Sequence, residues 1–291
     1  MIYKNVVKGR FRPHIALGTG IVHLGACIGV RYGFVHGFSW TSIFLAIAWY
    51  GMSIIGITVG YHRLLTHGAF QCHRSIQWIL IFLGGHATEG PAENWCTDHT
   101  QHHAYEDQPG DPHSPGEYGG GLRGFLWSHF LWFHFETLRP AGYRPKFKWE
   151  SDPMILWQAR WNWAIILVMG FVLPYLIAGW DGVFLAGFIR IVAHWHITWS
   201  VNSVCHLWGS LAPGTPREND RSRNNIIIAF LSGGEGFHAY HHKKPNCAYM
   251  GWRWYHYDPG KWVIALLAWL RWAWEVNTPV GLRYRHILKT A

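Results

Sequence analysis

Charged residues are scarce in this chain, at 14% of 291 residues, and acidic ones are the scarcer kind, with 16 Asp and Glu against 25 Lys and Arg. Hydrophobic residues make up 49%, and 20 positions are tryptophan. Soluble domains carry about 25% charged residues, so this composition argues against an ordinary soluble enzyme. The net charge of +9 suits a surface that faces anionic lipid headgroups, or an acidic partner or ligand, and does not require nucleic acid.

Cysteine is also sparse, and its placement follows no pattern. Its five positions are scattered and form no CxxC motif. This placement indicates neither a disulfide framework nor an iron–sulfur cluster. We therefore expect reduced thiols in a cytosolic or in-membrane setting.

Four apolar stretches are long enough, or nearly so, to cross a hydrocarbon core, which takes about 20 residues of helix. They form two close pairs, typical of helical hairpins, and neither hairpin tip carries Lys or Arg. Because basic residues mark the cytoplasmic side, we expect both termini and the histidine motifs there, in the inner membrane of a bacterial cell. The expected fold is an all-α integral membrane protein with one domain over residues 1–291. Its transmembrane helices are expected at about 15–36, 40–61, 161–179 and 182–205. A cytoplasmic helical cap, formed by 62–160 and 206–291, is expected to hold a histidine-rich dimetal site.

Shorter segments complete the plan. The apolar runs 75–85 and 261–276 are too short to span and are predicted to be interfacial helices. Dense Gly and Pro predict an irregular loop at 109–121, and 140–153 is predicted to be a polar connector. The first span lacks a small-residue cleavage site, so we expect a retained signal-anchor.

Four short motifs contain nine of the 21 histidines. Neutral imidazole is the commonest protein metal ligand, and nine rings exceed what one ion can bind, so two ions are expected. The motifs are HRLLTH (His62, His67), HTQHH (His99, His102, His103), NSVCH (His206) and HAYHH (His238, His241, His242).

The spacing within these motifs leaves several assignments open. On an α-helix, residues three and four apart share a face, so each HxxHH triplet could direct three rings to one place. A five-residue separation puts His62 and His67 about 140° apart on an ideal helix, so they need not serve the same ion. Asn202 stands four residues before His206, although Asn also commonly caps helix ends. Surface histidines explain one HxxHH equally well, whereas two copies on the same side favour metal binding.

Other polar residues are candidates for supporting roles. Arg190 lies inside the fourth span, where charge is expensive, and the sequence suggests no role for it. Metal-bound imidazoles usually donate their second N–H to a carboxylate, and the acidic residues near the motifs are Asp98, Glu106, Asp107, Asp111 and Glu235. The phosphates of coenzyme A or of lipid headgroups could meet Arg123, Arg139, Arg144, Lys146, Lys148, Lys243 and Lys244.

The number of nitrogen donors also bears on the metal. Zinc is normally satisfied by four ligands and cannot change oxidation state. Nine nitrogens shared by two ions give four or five each, with an open position for oxygen, water or substrate. This favours a redox metal that handles dioxygen, and imidazole suits both iron and copper. A site beside apolar spans favours a lipid-like substrate.

Taken in order, HRLLTH, DHTQHH with DPHSP and WSHFLW, NSVCHLWG and GEGFHAYHH closely resemble the membrane fatty-acid desaturases of the stearoyl-CoA Δ9 type, over about residues 40 to 275. The resemblance implies that two irons (Fe2+/Fe3+) bind the nine motif histidines directly and Asn202 through a water. It implies that dioxygen and electrons are used to place a cis double bond, at Δ9, in a saturated acyl chain, with acyl-CoA as the expected substrate. The motifs depart from the usual pattern at Thr100, Gln101, Ala239 and Tyr240, none of which is a ligand position.

The resemblance also implies an electron donor, and it leaves alternative functions open. No haem-binding cytochrome b5 extension is recognised, so electrons are expected from a separate ferredoxin, rubredoxin or cytochrome b5-type donor. Three alternatives remain: an acyl-lipid (glycerolipid) desaturase, a histidine-cluster hydroxylase of lipids or alkanes, and a metal transporter. A hydroxylase would add oxygen to its product, and a transporter would place its ligands near the bilayer midplane.

Overall fold

A computed structural model describes residues 9–144, 149, 151–214 and 219–279 of the chain, and most of them are helical. Lys146 and Lys148 lie outside these residues. The helices are α1 (Pro13–His36), α2 (Trp40–Ile55), α3 (Arg74–His86), α4 (Ala92–Tyr105), α5 (Gly121–Leu126), α6 (Pro153–Leu167), α7 (Leu173–Asp181), α8 (Arg190–Ser203), α9 (Ile226–Leu231), α10 (His238–Lys243) and α11 (Pro259–Trp269). Strands β1 (Gln71–Cys72) and β2 (Ala273–Trp274) pair antiparallel.

Short segments of other helix types extend several of these helices. A π-helical segment (Gly56–Thr66) continues α2 and will be called the π-segment. Further π-helical turns follow α5 (Trp127–Leu131) and flank α7 (Val168–Val172 and Gly182–Ile189), and 3₁₀ turns cover Trp132–His134 and Val204–His206.

Three continuous helical stretches are long and apolar enough to cross a membrane, namely Pro13–His36, Trp40–Thr66 and Pro153–His206. The third, at 54 residues, turns back on itself. Ala178 and Gly179 leave helical geometry, with φ of −137° and 60°. The carbonyl oxygen of Gly170 lies 2.7 Å from where a Cβ on Gly187 would sit, whereas one straight helix would separate these residues by about 25 Å. The reversal falls where the sequence predicted the second hairpin tip.

The turn between α1 and α2 and the turn at Ala178 and Gly179 lie at the same end of the molecule. Asp181, at the second turn, accepts hydrogen bonds from the Tyr32 hydroxyl and from the backbone N–H of Ser39, both at 2.9 Å. Ser39 caps α2, because its side chain accepts from the N–H of Ser42. This contact holds the start of α2 beside the second turn, and the histidine motifs lie toward the opposite ends of these helices.

Two predicted boundaries differ from those observed. The third span begins at Pro153 rather than near residue 161, because Asp152 accepts a hydrogen bond from the N–H of Met154 and proline suits a first helical turn. The segment predicted as a helix over 261–276 is helical only to Trp269, because Arg271 adopts a positive φ of 63° and the chain then pairs as β2. Helix α3 matches the other predicted interfacial helix, but its face at Leu80 and Ile81 is buried against protein.

Candidate metal centre

The nine motif histidines come from separate parts of the chain and converge on one region. His62 lies in the π-segment, His67 directly after it and His206 at the end of the 3₁₀ turn after α8, while α4 and α10 carry three each. Their nitrogen atoms form two groups, and within each group the atoms lie within 4.8 Å of one another. The first group is His62, His67, His99, His103 and His241, and the second is His102, His206, His238 and His242.

Each HxxHH triplet is divided between the groups, which corrects the expectation that three rings share one place. On α4, His99 and His103 are in the first group and His102 is in the second. Residues four apart differ by only about 40° around a helix, whereas adjacent residues differ by about 100°. The same rule on α10 places His238 with His242 and sends His241 to the first group. Helices α4 and α10 therefore each contribute to both groups.

The π-segment brings His62 and His67 together, and their ring centroids are 4.9 Å apart. An ideal α-helix would turn two residues five positions apart away from each other. In a π-helix the backbone bond runs from residue i to i+5, and here the N–H of His67 donates to the carbonyl of His62 at 3.1 Å. The wider turn returns the fifth residue to nearly the same side, which the α-helical expectation missed.

Ring nitrogens face each other at short distances inside both groups. The Nε2 atom of His241 lies 3.0 Å from that of His62 and 2.9 Å from that of His103. The His103 Nε2 is also 3.1 Å from the Nε2 of His99. One imidazole nitrogen has either one hydrogen or one lone pair, so two such neighbours are poorly satisfied by hydrogen bonding. A single cation between the lone pairs satisfies all four nitrogens at once.

These spacings are informative about coordination geometry. For metal–nitrogen bonds of about 2.1 Å, two nitrogens at a right angle are about 3.0 Å apart, and two at a tetrahedral angle are about 3.4 Å apart. In the second group, His102 and His242 are 3.1 Å apart and His206 and His238 are 3.0 Å apart, again between Nε2 atoms. These spacings are short enough for the paired nitrogens to bind one ion in each group.

Burial keeps most of these rings in the neutral, ligand-competent form. Desolvation is the main cause, followed by repulsion between neighbouring rings, and together they hold the pKa of His67, His99, His102, His103, His238 and His241 well below the ordinary value. The pKa of His242 shifts in the opposite direction. Burial acts to lower its pKa, but hydrogen bonds to Asp220 and Glu106 outweigh that effect and raise it to about 9.

Carboxylates contact the outward-facing Nδ1 atoms of four rings. Glu235 lies 2.5 Å from His62, and Asp111 lies 2.9 Å from His102. Such contacts fix the tautomer and direct Nε2 inward. The remaining pairs are Asp107 with His206 at 3.0 Å, and Glu106 and Asp220 with His242 at 2.6 and 3.4 Å.

The sequence named four of these five carboxylates as candidates. Asp98, the fifth candidate, forms an ion pair with Arg139 at 2.8 Å instead. Asp220 was missed because it lies some twenty positions from its ring in the chain, at 242. Asp107 is held ionised: burial would raise its pKa, but His206, the Ser114 hydroxyl and a backbone N–H hold it well below the usual value.

Asn202 lies on the wall of a small cavity of about 40 Å³ that touches both histidine groups, through His62 and His99 on one side and His238 on the other. Arg190, for which the sequence suggested no role, is buried. It donates to the carbonyl of Ala186 at 2.9 Å and to the Ser53 hydroxyl at 3.2 Å, and so connects α8 to α2.

This geometry defines a class of protein, a helical, histidine-rich metalloenzyme candidate with apolar helices compatible with a membrane. Comparison with known proteins identifies the family. Residues 38–268 match the family model described as fatty acid desaturase. The chain belongs to the fatty acid desaturase family, whose members are oxidoreductases.

Several curated relatives support the assignment. An sn-2 palmitoyl-lipid 9-desaturase of Nostoc sp. is 35% identical over 79% of this chain and 79% of its own length. A probable acyl-CoA desaturase of Schizosaccharomyces pombe is 36% identical over 81% of this chain and 49% of its own. A hex-5-enoyl-[acyl-carrier protein] acetylenase of Moorena producens is 31% identical over 96% and 90%.

Proposed function

We propose that this desaturase binds two iron ions and introduces a cis double bond, at Δ9, into a saturated fatty acyl chain. When bound, the irons supply the redox chemistry through which dioxygen and electrons from a separate donor oxidise an unactivated chain. The single observation that carries the proposal is the pair of buried imidazole groups with Nε2 atoms about 3 Å apart. The proposed ligands are His62, His67, His99, His103 and His241 at one ion and His102, His206, His238 and His242 at the other, with Asn202 between them.

The protein's own groups position this centre. Glu235, Asp107 and Asp111 accept from Nδ1 and so aim the Nε2 lone pairs inward. No general acid or base is assigned, because a methylene hydrogen is not acidic. The Arg63 guanidinium lies 3.6 Å from a carboxylate oxygen of Glu235 and 2.8 Å from one of Asp258, so it forms ion pairs with both.

The acyl carrier has two candidates. The stearoyl-CoA-type motifs favour acyl-CoA, and the relative from Schizosaccharomyces pombe is named for that class. The relatives from Nostoc and from Anabaena variabilis are named as lipid 9-desaturases, which favours a glycerolipid ester and supports the ninth position in either case.

We further propose one membrane domain with four crossings. The support is the reversal at Gly179 within the third apolar stretch, together with the contact between Asp181 and Ser39. In this topology both hairpin tips face outward and the metal centre and its helical cap face the cytoplasm of a bacterial cell.

The decisive experiment is expression in a host that lacks its own unsaturated fatty acids, followed by mass spectrometric location of new double bonds. An olefin at carbon 9 without added oxygen is expected. A hydroxylated chain would instead support the hydroxylase alternative. Metal analysis of the purified protein should find two irons for each chain, and a chain loaded only with zinc would contradict the proposal.

A further inference from the structure

A cavity of about 440 Å³ reaches from the metal centre to the outside of the molecule. It is much larger than the small cavity beside Asn202 and shares with it four lining residues, among them His99 and Thr198. Its size lies within the range of a ligand pocket. The walls of this cavity decide how a ligand can reach the centre.

Three helices compatible with membrane spans supply most of the apolar walls. Besides His14 in its first turn, four residues of α1 line the cavity at spacings of three and four, so they form one face of that helix. Helix α8 contributes a face of the same kind, and α6 contributes residues four apart. These are Ile15, Gly18, Thr19 and Val22 on α1, Asn162 and Ile166 on α6, and Trp195, Thr198, Trp199 and Asn202 on α8.

In the described part of the chain, α1 and α6 both line the cavity and are not closely packed against each other. Helix α1 packs along α8 and along Gly182–Ile189, where Gly29 approaches Phe184, and in the described residues no comparable packing joins it to α6. Gly18 lines the cavity and is exposed, and a Cβ placed on it would meet no atom within 4 Å. Open space therefore adjoins Gly18 at the cavity wall.

In the proposed topology, the side of the cavity between α1 and α6 lies at membrane depth. From Arg12, directly before α1, to Val22 the cavity wall runs about 15 Å along the helix axis. That is about half of a hydrocarbon core of about 30 Å. An opening along this length faces lipid chains rather than water once α1 is inserted.

The charged residues that line the cavity fit one lipid headgroup better than coenzyme A. Among the described residues that line the cavity, Arg12 is the only Arg or Lys, while Glu89 and Asp98 are acidic. Coenzyme A carries several phosphate charges, and this lining offers it a single cation. Arg12 lies where α1 leaves the membrane, which is the depth of a headgroup phosphate.

We propose that the acyl chain enters sideways from the bilayer, through the gap between α1 and α6, while still esterified to a membrane glycerolipid. This inference rests on the proposed desaturase function and names its substrate class. It replaces acyl-CoA, which the motifs favoured, because a chain that is already in the membrane needs only to move laterally into the cavity. We call this gap the lateral opening.

The test compares two glycines on the same helix. In Gly18→Leu a branched side chain would fill the lateral opening. Gly20→Leu is the matched control, because Gly20 is also exposed with no atom within 4 Å of a built Cβ, and it does not line the cavity. Both variants should unfold at the same temperature as the unsubstituted protein, which separates a blocked opening from a damaged fold.

The first readout is binding and needs no turnover. The holoenzyme in lipid nanodiscs is irradiated with a phosphatidylcholine that carries a diazirine on its stearoyl chain, and labelled peptides are mapped. Label is expected on α1 and α6 at the cavity. Because changes of a few methylenes in an apolar pocket alter recognition by about tenfold or more, Gly18→Leu should lower this label about tenfold and Gly20→Leu should leave it unchanged. Equal labelling of both variants would overturn the inference.

The second readout is activity with each carrier. With electrons supplied, the nanodisc enzyme should desaturate stearoyl chains of phosphatidylcholine, and Gly18→Leu should slow this step about tenfold. Desaturation of stearoyl-CoA without transfer to lipid, and no reaction of the phospholipid, would overturn the lateral opening while leaving the desaturase function intact. Photolabel at the cavity with no olefin from either carrier would instead retain the opening and refute the proposed function.

Discussion

At the scale of single residues, the position of a histidine on its helix decides which group it joins. Adjacent rings on α4, at His102 and His103, belong to different groups, and adjacent rings on α10 do the same. Each of these two helices must therefore keep its rotation about its own axis for either proposed ion to be bound. A carboxylate behind each of four rings fixes their orientation as well.

His241→Ala tests the first group. The His241 Nε2 has two short ring contacts, so its removal should empty one site and leave about half of the bound metal. Metal analysis of the purified variant measures this directly. His73→Ala is the control, because His73 is exposed and lies outside both groups. Equal metal loss in the two variants would contradict the assignment.

Asp107→Asn tests the outer carboxylates. The amide keeps the size of the side chain but no longer offers a charged acceptor to the His206 Nδ1. Loss of such a partner typically weakens metal binding about 10- to 100-fold. Competition with a chelator measures the change. Asp98→Asn is the control, because the Asp98 carboxylate pairs with Arg139 instead of a histidine, and this variant should bind the metal as tightly as the unsubstituted protein does.

At the scale of elements, the π-segment is a close-packed junction. It lies against α3, and glycines at the contact let the two backbones approach. Its Arg63 is fully buried and forms an ion pair with Asp258, which caps α11. The segment that carries His62 is therefore held from two sides.

Gly60→Ala tests the first contact. A Cβ on Gly60 would lie 2.8 Å from the carbonyl oxygen of Leu80, so the backbones must separate. Overpacking of this kind costs about 1–3 kcal/mol. Thermal unfolding in detergent should show a lower Tm. Gly51→Ala, on α2, meets no atom within 4 Å and should leave the Tm unchanged or slightly raised.

Asp258→Asn tests the second contact. Arg63 would keep its charge in a buried position without its nearest anion, and breaking a buried pair costs about 3–5 kcal/mol. The same unfolding measurement applies. Arg74→Gln is the comparison, because Arg74 pairs with Asp152 at an exposed site, where ion pairs contribute about 0–1 kcal/mol. A smaller loss for Asp258→Asn than for Arg74→Gln would contradict this account.

At the scale of the whole molecule, the proposed topology separates two turns that lack Lys and Arg from the metal centre. Trp180 is exposed at the second turn, and Leu122 is exposed on α5 at the other end. With Cys27, the exposed native thiol, replaced by Ser, Trp180→Cys should react with an impermeant maleimide in intact cells. Leu122→Cys should react only after permeabilisation, since basic segments stay inside. The opposite pattern would invert the topology.

Much of this organisation was readable from the sequence because it depends on local properties. Apolar runs of sufficient length predicted the membrane-compatible stretches, and the four motifs predicted the desaturase family, which the comparison confirms. Helical spacing predicted that His99 and His103 share a face, but it wrongly included His102 with them. A Gly- and Pro-rich loop was also correctly predicted before α5, because these residues disfavour regular structure locally.

The tertiary structure decided what depends on contacts between distant segments. No local sequence pattern shows that Gly56–Thr66 forms a π-helix and turns His67 back toward His62. This segment packs against α3, which is distant information that a local pattern does not contain. The pairing of Asp220 with His242, the division of each triplet between two groups and the gap beside Gly18 are likewise properties of the assembled helices. The sequence by itself determined which chemistry was available, since residue types and their spacing are local. Only the folded chain decided which rings meet and from which side a substrate can reach them, since both depend on how separate helices pack.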